Sequence, residues 1–161
     1  MIKYELEALT KENFSREVLQ VIENICEEYG LEDHFGTIST ALMEFGCLLS
    51  DHLGESTLNA DFLIQTGDLS VTFHSQDMSL DFIYDYFADT NVHKNDSVFT
   101  VTLLTDEIEF DQQNQDFTLL FHVKPYMKEM IEGRENITHH FSKKSDLEEK
   151  IDDKINKSTH Q

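Results

Sequence analysis

The stretch LNADFLIQTGDLSVTF, residues 58–73, decides the fold class. Leu58, Ala60, Phe62 and Ile64 alternate with Asn59, Asp61 and Gln65, and after Gly67-Asp68 the alternation resumes in Leu69, Val71 and Phe73. A period of two puts one apolar row on a single face of a pleated strand. Two such runs joined by Gly-Asp read as a tight β-hairpin with one face turned to a core. On the N-terminal side the period changes to that of a helix. Ile38, Ala41, Leu42, Phe45, Leu48 and Leu49 share a broad face in a helix expected to begin near Asp33 and to stop at Gly54. Before it, Phe14, Val18, Val21, Ile22, Ile25, Cys26 and Tyr29 form a second helical face, with Thr10 or Asn13 as cap and Gly30 in the left-handed stop position. The chain opens with Ile2, Tyr4, Leu6 and Ala8 alternating against Lys3, Glu5 and Glu7, a half-buried strand.

Working outward in the other direction, DMSLDFIYDYFAD (77–89) reads as a helix with Asp77, Asp81, Asp85 and Asp89 on one face. Its spacing is not the Asp-x-Asp-x-Asp-Gly loop that wraps a calcium ion, so a solvated face is the expectation. Residues 88–97 are a polar connector. Val98 to Leu104 is rich in β-branched residues and reads as strand by propensity alone. A second hairpin follows: Ile108 and Phe110, a polar turn from Asp111 to Asp116, then Phe117, Leu119, Phe121 and Val123, closed by Pro125, the single proline. The order predicts an α+β fold, a two-layer sandwich with helices on one face of a mainly antiparallel or mixed sheet. Residues 1–124 make the domain, and 125–161 read as an appended, charged, partly helical tail: a short helix at Met127–Glu132, then a capping box Ser145–Glu148 before the thin stripe of Leu147, Ile151 and Ile155.

The 161 residues carry 12 Lys and Arg against 32 Asp and Glu, a formal charge of −20, yet 39% are hydrophobic, enough for a real core. Residues 1–124 hold five basic residues against 24 acidic ones, and between Arg16 and Lys94 there is no Lys or Arg at all. Nucleic acid and anionic membrane are therefore excluded as partners of this body, which lacks the cations that displace phosphate counterions. The field favours a basic protein partner, or serves solubility. No run approaches a membrane span and MIKYELEALT has no signal-peptide character, so the cytoplasm is the expected location.

Chemistry is sparse. Glycines stand at 30, 36, 46, 54, 67 and 133, so neither GxGxxG nor GxxxxGK[ST] occurs. The eight histidines form no HExxH or Cys/His metal set, and His139-His140 reads as a solvated pair. There is no GxSxG, and Cys26 and Cys47, inside apolar helical patterns, are expected to be buried thiols. No metal site is expected, and the residues alone support no catalysis.

The order of elements, a helix carrying EFGCLLSDH (44–52), and the segment NDSVFTVTLLTDEIEF (95–110) resemble the histidine-kinase-type (GHKL) ATPase domain, most of all the small bacterial anti-sigma factor serine kinases. The resemblance spans roughly residues 2–124. Glu44, Asp51 and His52 match the family's helix pattern EAVTNAIEH. The family's magnesium-holding Asn falls at Leu48, its adenine-reading Asp-x-Gly-x-Gly falls in HSQDM (74–78) where only Asp77 could serve, and its lid glycines fall at Asn95 and Ser97. The resemblance implies that residues 98–105 are helical, against their propensity. It also implies ATP with Mg²⁺ as cofactor and Glu44 as general base, but a hard ion needs oxygen ligands and Leu48 has none. The degenerate motif points to a non-catalytic interaction protein without a cofactor, in which Glu44 is a helix-surface glutamate. Its partner would be a basic protein or a sigma or anti-sigma regulator, with a homodimer as the family's common assembly. The alternative is an active ATP-binding anti-sigma factor or serine-protein kinase with an unconventional site at Glu44 and Asp77.

Overall fold

The structure, a computed structural model, describes residues 2–89 and 95–123, all within the compact unit Met1–Pro125. The tail expected at 125–161 and the His139-His140 pair lie outside the described residues. Nine elements follow one another: β1 (Ile2–Leu9), α1 (Phe14–Tyr29), α2 (Phe35–Leu53), β2 (Leu58–Gln65), β3 (Asp68–His74), α3 (Asp81–Ala88), α4 (Asp96–Leu104), β4 (Glu107–Asp111) and β5 (Asp116–His122). A single 3-10 turn, Glu32–His34, leads into α2. The fold is α+β: a five-stranded sheet in the order β1-β2-β3-β5-β4, antiparallel throughout, with four helices packed against it.

The apolar rows read from residues 58–73 are the core. Ala60, Phe62 and Ile64 of β2, Leu69, Val71 and Phe73 of β3, and Phe117, Leu119 and Phe121 of β5 are all buried. Register explains why they coincide: Ala60 pairs with Phe73 and Phe73 with Phe117, so the three rows lie on one face. Above them, Phe45 of α2 stacks on Phe73 at 4.7 Å between ring centroids and tilts against Phe117 at 5.4 Å. Burial of each such ring stabilises the fold by about 1.5–3 kcal/mol. Gln65 pairs with Asp68, so the hairpin turn is Thr66-Gly67 rather than Gly67-Asp68, with Gly67 at a φ of +84°.

Helix α1 ends as expected, with Gly30 left-handed and its N–H bonded to the Cys26 carbonyl. Its start is held by a reciprocal pair: the Thr10 N–H donates to Asn13 Oδ1 at 2.7 Å, and the Asn13 N–H donates to Thr10 Oγ1 at 3.3 Å.

Several expectations are corrected. In β1 the inward row is Ile2, Tyr4, Leu6 and then Leu9, not Ala8. The register slips between Leu6 and Leu9, and the exposed Ala8 takes a φ of +55° while its N–H goes to Asn59 Oδ1 at 2.9 Å. The four-aspartate helix face is not formed, because α3 begins only at Asp81 and ends at Ala88. Cys47 is exposed, since it lies two residues, about 200°, beyond the buried Phe45. Most tellingly, Val98–Leu104 is not a strand but most of α4. The Asn95 side chain caps it by accepting the Val98 N–H at 3.1 Å, and Val98 and Val101, three apart, are fully buried. A helix buries that i, i+3 pair on one side, whereas a strand would turn Val98 and Val101 to opposite faces.

Candidate functional site

Helix α2 presents Glu44 and, one turn later, Leu48. The cap of α4 meets it there. Ser97, in the first turn of α4, donates its hydroxyl proton to Glu44 Oε2 at 2.7 Å. Asn95, two residues earlier, spends its side-chain oxygen on the Val98 N–H, and its carbonyl accepts the Phe99 N–H at 2.9 Å. The half-buried Glu44 carboxylate thus meets Ser97 in the first turn of the helix that Asn95 caps, while Leu48 is buried at 6% exposure. Glu44 is therefore not a free surface glutamate but a tether between two helices.

Asp77 belongs to a different cluster. It stands just past β3, at the open end of the first hairpin. Its carboxylate accepts the Thr57 N–H at 3.3 and 3.4 Å, and the single Ser75 hydroxyl proton is shared between Asp77 Oδ1 at 2.8 Å and the Thr57 carbonyl at 2.7 Å. Those bonds tie the end of β3 to the start of β2. Asp51 is exposed, and His52 stacks on Phe82 of α3 at 4.0 Å with its Nε2 3.0 Å from the Tyr86 hydroxyl.

Two groupings were not legible in the sequence. The His52–Phe82–Tyr86 cluster joins α2 to α3 across 34 residues of chain. Gln115, at a φ of +58°, anchors the other end of α3: its Oε1 accepts the Leu80 N–H at 2.7 Å and its Nε2 donates to Asp81 Oδ1 at 3.0 Å. The spacing of apolar residues carries no signal for either.

Electrostatically the body is lopsided. Its described cations are Lys3, Lys11 and Arg16, all in the first 16 residues, and Lys3 and Arg16 pair with Glu5 and Glu17. Burial, helped by Glu32, pushes the Cys26 thiol up to about 11, so it is a poor nucleophile. Among the described residues no group of three or more His, Cys, Asp or Glu side chains is placed to hold a metal ion. Nor is any helix among them long and apolar enough to cross a membrane. One shallow concavity is lined by Glu23, Cys26, Glu27, Glu32 and Phe35, and another by Glu7, Ala8, Thr57, Asn59 and Gln76; neither includes Glu44, Leu48, Asp77, Asn95 or Ser97.

Chemically, then, the Ser97–Glu44 hydrogen bond ties α4 to α2, and Asn95 caps α4 itself. Leu48 adds no oxygen there. No model of a known protein family matches the chain, and no curated protein matches it.

Proposed function

We propose that this protein is a non-catalytic interaction module on a GHKL-like scaffold, with the nucleotide positions of the anti-sigma factor kinases turned to structural use, and that it acts by binding a basic protein partner. The observation that carries the reading is the 2.7 Å hydrogen bond from Ser97 to Glu44, with Leu48 one turn further along α2. The carboxylate in the general-base position is engaged by a side chain at a lid-glycine position, and the position that should supply an oxygen to Mg²⁺ supplies a buried methyl pair instead. The order of strands and helices, and the packing of Phe45 across Phe73, support the scaffold half of the reading. The near-absence of cations supports the partner half, because a polyanionic nucleotide meets no basic side chain between residues 17 and 93.

The test is a calorimetric titration of the purified chain with ATP and Mg²⁺, and with ADP. The expected result is no saturable heat at millimolar nucleotide, for wild type and for Leu48→Asn alike. Micromolar binding by the wild type would overturn the reading and make Glu44 and Asp77 the residues to mutate.

A further inference from the structure

An open sheet has two edges, and among the described residues these are β1 and β4. The turn Thr66-Gly67 fixes which backbone groups of β1 face outward. Across a two-residue turn the flanking residues, Gln65 and Asp68, bond to each other. Bonding direction alternates along a strand, so Leu63 and Asp61 also bond toward β3, whereas Ile64, Phe62 and Ala60 bond toward β1. Their partners are Ile2, Tyr4 and Leu6. The N–H and C=O of Lys3 and Glu5 therefore point away from the sheet, and no described residue bonds to them. Between Ile2 and Leu6 the strand has no Pro, Gly or bulge to blunt the edge; the register slips only after Leu6. Its inward row of Ile2, Tyr4 and Leu6 is half-buried, although Phe62 and Ile64 beside it are fully buried.

Free N–H and C=O groups along a flat edge select an extended strand as neighbour, and the side chains say whose strand fits. On the face away from the helices β4 carries Glu107, Glu109 and Asp111, so a two-fold pairing of β4 with its own copy sets carboxylate opposite carboxylate in every register. β1 differs, because its outer row mixes signs: Lys3, then Glu5. A two-fold axis at Lys3 opposes two lysines, and one at Glu5 opposes two glutamates. An axis at Tyr4 opposes Lys3 to Glu5 of the second copy, twice over, and Ile2 to Leu6. That register also brings the outward backbone groups of Lys3 and Glu5 together, as an antiparallel ladder requires. Glu5 lies opposite Asp61 on the β2 side, so a lysine on its open side compensates a like-charge neighbour.

We propose that two copies of this chain pair their β1 strands antiparallel about a two-fold axis at Tyr4, joining two five-stranded sheets into one, with Lys3 of each copy against Glu5 of the other. The Tyr4 hydroxyl, held by Glu28 Oε2 at 2.9 Å, fixes the ring that flanks the axis. A pairing of five residues per strand falls short of the roughly 800 Å² per partner of a standard interface, so the dimer is weak and depends on concentration. It does not depend on what the chain does with nucleotide.

The experiment is analytical ultracentrifugation of the full chain from about 2 to about 200 μM in about 0.15 M salt, which screens the charge of −20 on each copy beyond roughly 8 Å. The expected result is a monomer at the low end and a growing dimer fraction at the high end. Lys3→Glu and Glu5→Lys, each of which sets like charges across the axis, should weaken association at least about tenfold. The double variant Lys3→Glu/Glu5→Lys restores opposite charges and should return to within about threefold of wild type, and an equimolar mixture of the two single variants should associate as well. Glu5→Pro removes an outward N–H and should abolish the dimer while the sheet stays intact. Far-UV circular dichroism and a thermal melt check each fold; if Glu5→Pro does not fold, the charge exchange decides. The proposal is overturned by a chain that stays monomeric throughout, by a dimer indifferent to both reversals, or by a double variant no better than either single one. Saturable binding of Mg-ATP would remove the non-catalytic reading and leave this pairing standing, whereas a monomeric chain that ignores nucleotide does the reverse.

Discussion

Replacing Gly46 with alanine tests the packing of α1 on α2. A Cβ at this position would lie 2.6 Å from Phe14 Cε1 and 2.8 Å from Cδ1. Carbon atoms pack best at about 3.5–4.0 Å, so roughly 1 Å has to be found. Phe14 has little room to give it. Its ring is 4% exposed and stacks on Phe73 at 6.0 Å, and its N–H is fixed to the Thr10 carbonyl at 3.0 Å. In a free helix the substitution would be favourable by about 1 kcal/mol, because glycine is the poorer helix former. Overpacking a rigid core costs about 1–3 kcal/mol, and an overlap this deep belongs in the upper part of that range. The net expectation is a loss of about 1–2 kcal/mol, read as a lower midpoint in urea with an unchanged slope. Combining it with Phe14→Leu, which removes the obstructing ring atoms, should reverse the sign, so that Gly46→Ala stabilises the double variant relative to Phe14→Leu alone. The implied coupling is about 2–3 kcal/mol. A Gly46→Ala protein with a raised midpoint in the wild-type background, or a double variant with purely additive losses, would refute the close-approach argument.

Asn95→Ala removes the N-terminal side-chain cap of α4 and should cost about 1 kcal/mol, with faster amide exchange concentrated in Val98–Leu104; exchange unchanged in that helix would show that its remaining contacts sustain it without this cap. Thiol labelling at about pH 8 should find one fast site, the exposed Cys47, and one slow site, Cys26, that opens only with the fold. For His122, the hydrogen bond to Asp68 Oδ1 at 2.7 Å outweighs desolvation, and with Asp106 and Glu107 nearby it lifts the imidazole above its usual 6.5. The folded protein therefore holds that proton more tightly than the unfolded chain. Its stabilisation is complete below about pH 6.5 and fades as pH rises through the folded value. An NMR titration of the ring proton should place the midpoint above 6.5, and Asp68→Asn should lower it. A wild-type midpoint at or below 6.5 would contradict the pairing.

How legible the fold was depended on how far apart the interacting residues lie. The rows Leu58–Ile64 and Leu69–Phe73, the helical faces from Phe14 to Tyr29 and from Ile38 to Leu49, and the Gly30 stop all stand where their local spacing places them. Residues 98–104 show the limit. Their β-branched composition speaks for a strand, and only the resemblance argued for a helix; the packing of Val98 and Val101 and the Asn95 cap decide the matter. The exposure of Cys47, by contrast, followed from its angle on α2 and was open to a stricter reading of the same periodicity.

The candidate site divides along the same line. The identity of Leu48, the positions of the six glycines and the excess of acidic residues are facts of composition and position, fixed once the chain is written. That Glu44 receives the Ser97 hydroxyl, that Asp77 ties Thr57 to Ser75, and that Phe99 and Leu103 are left exposed on α4 depend on which elements come to lie together. Residues 44 and 97 are 53 apart, and no period of two or 3.6 reaches across that distance. Local spacing determines which face of an element is apolar; only the assembled sheet and helices determine which polar groups on the remaining faces meet.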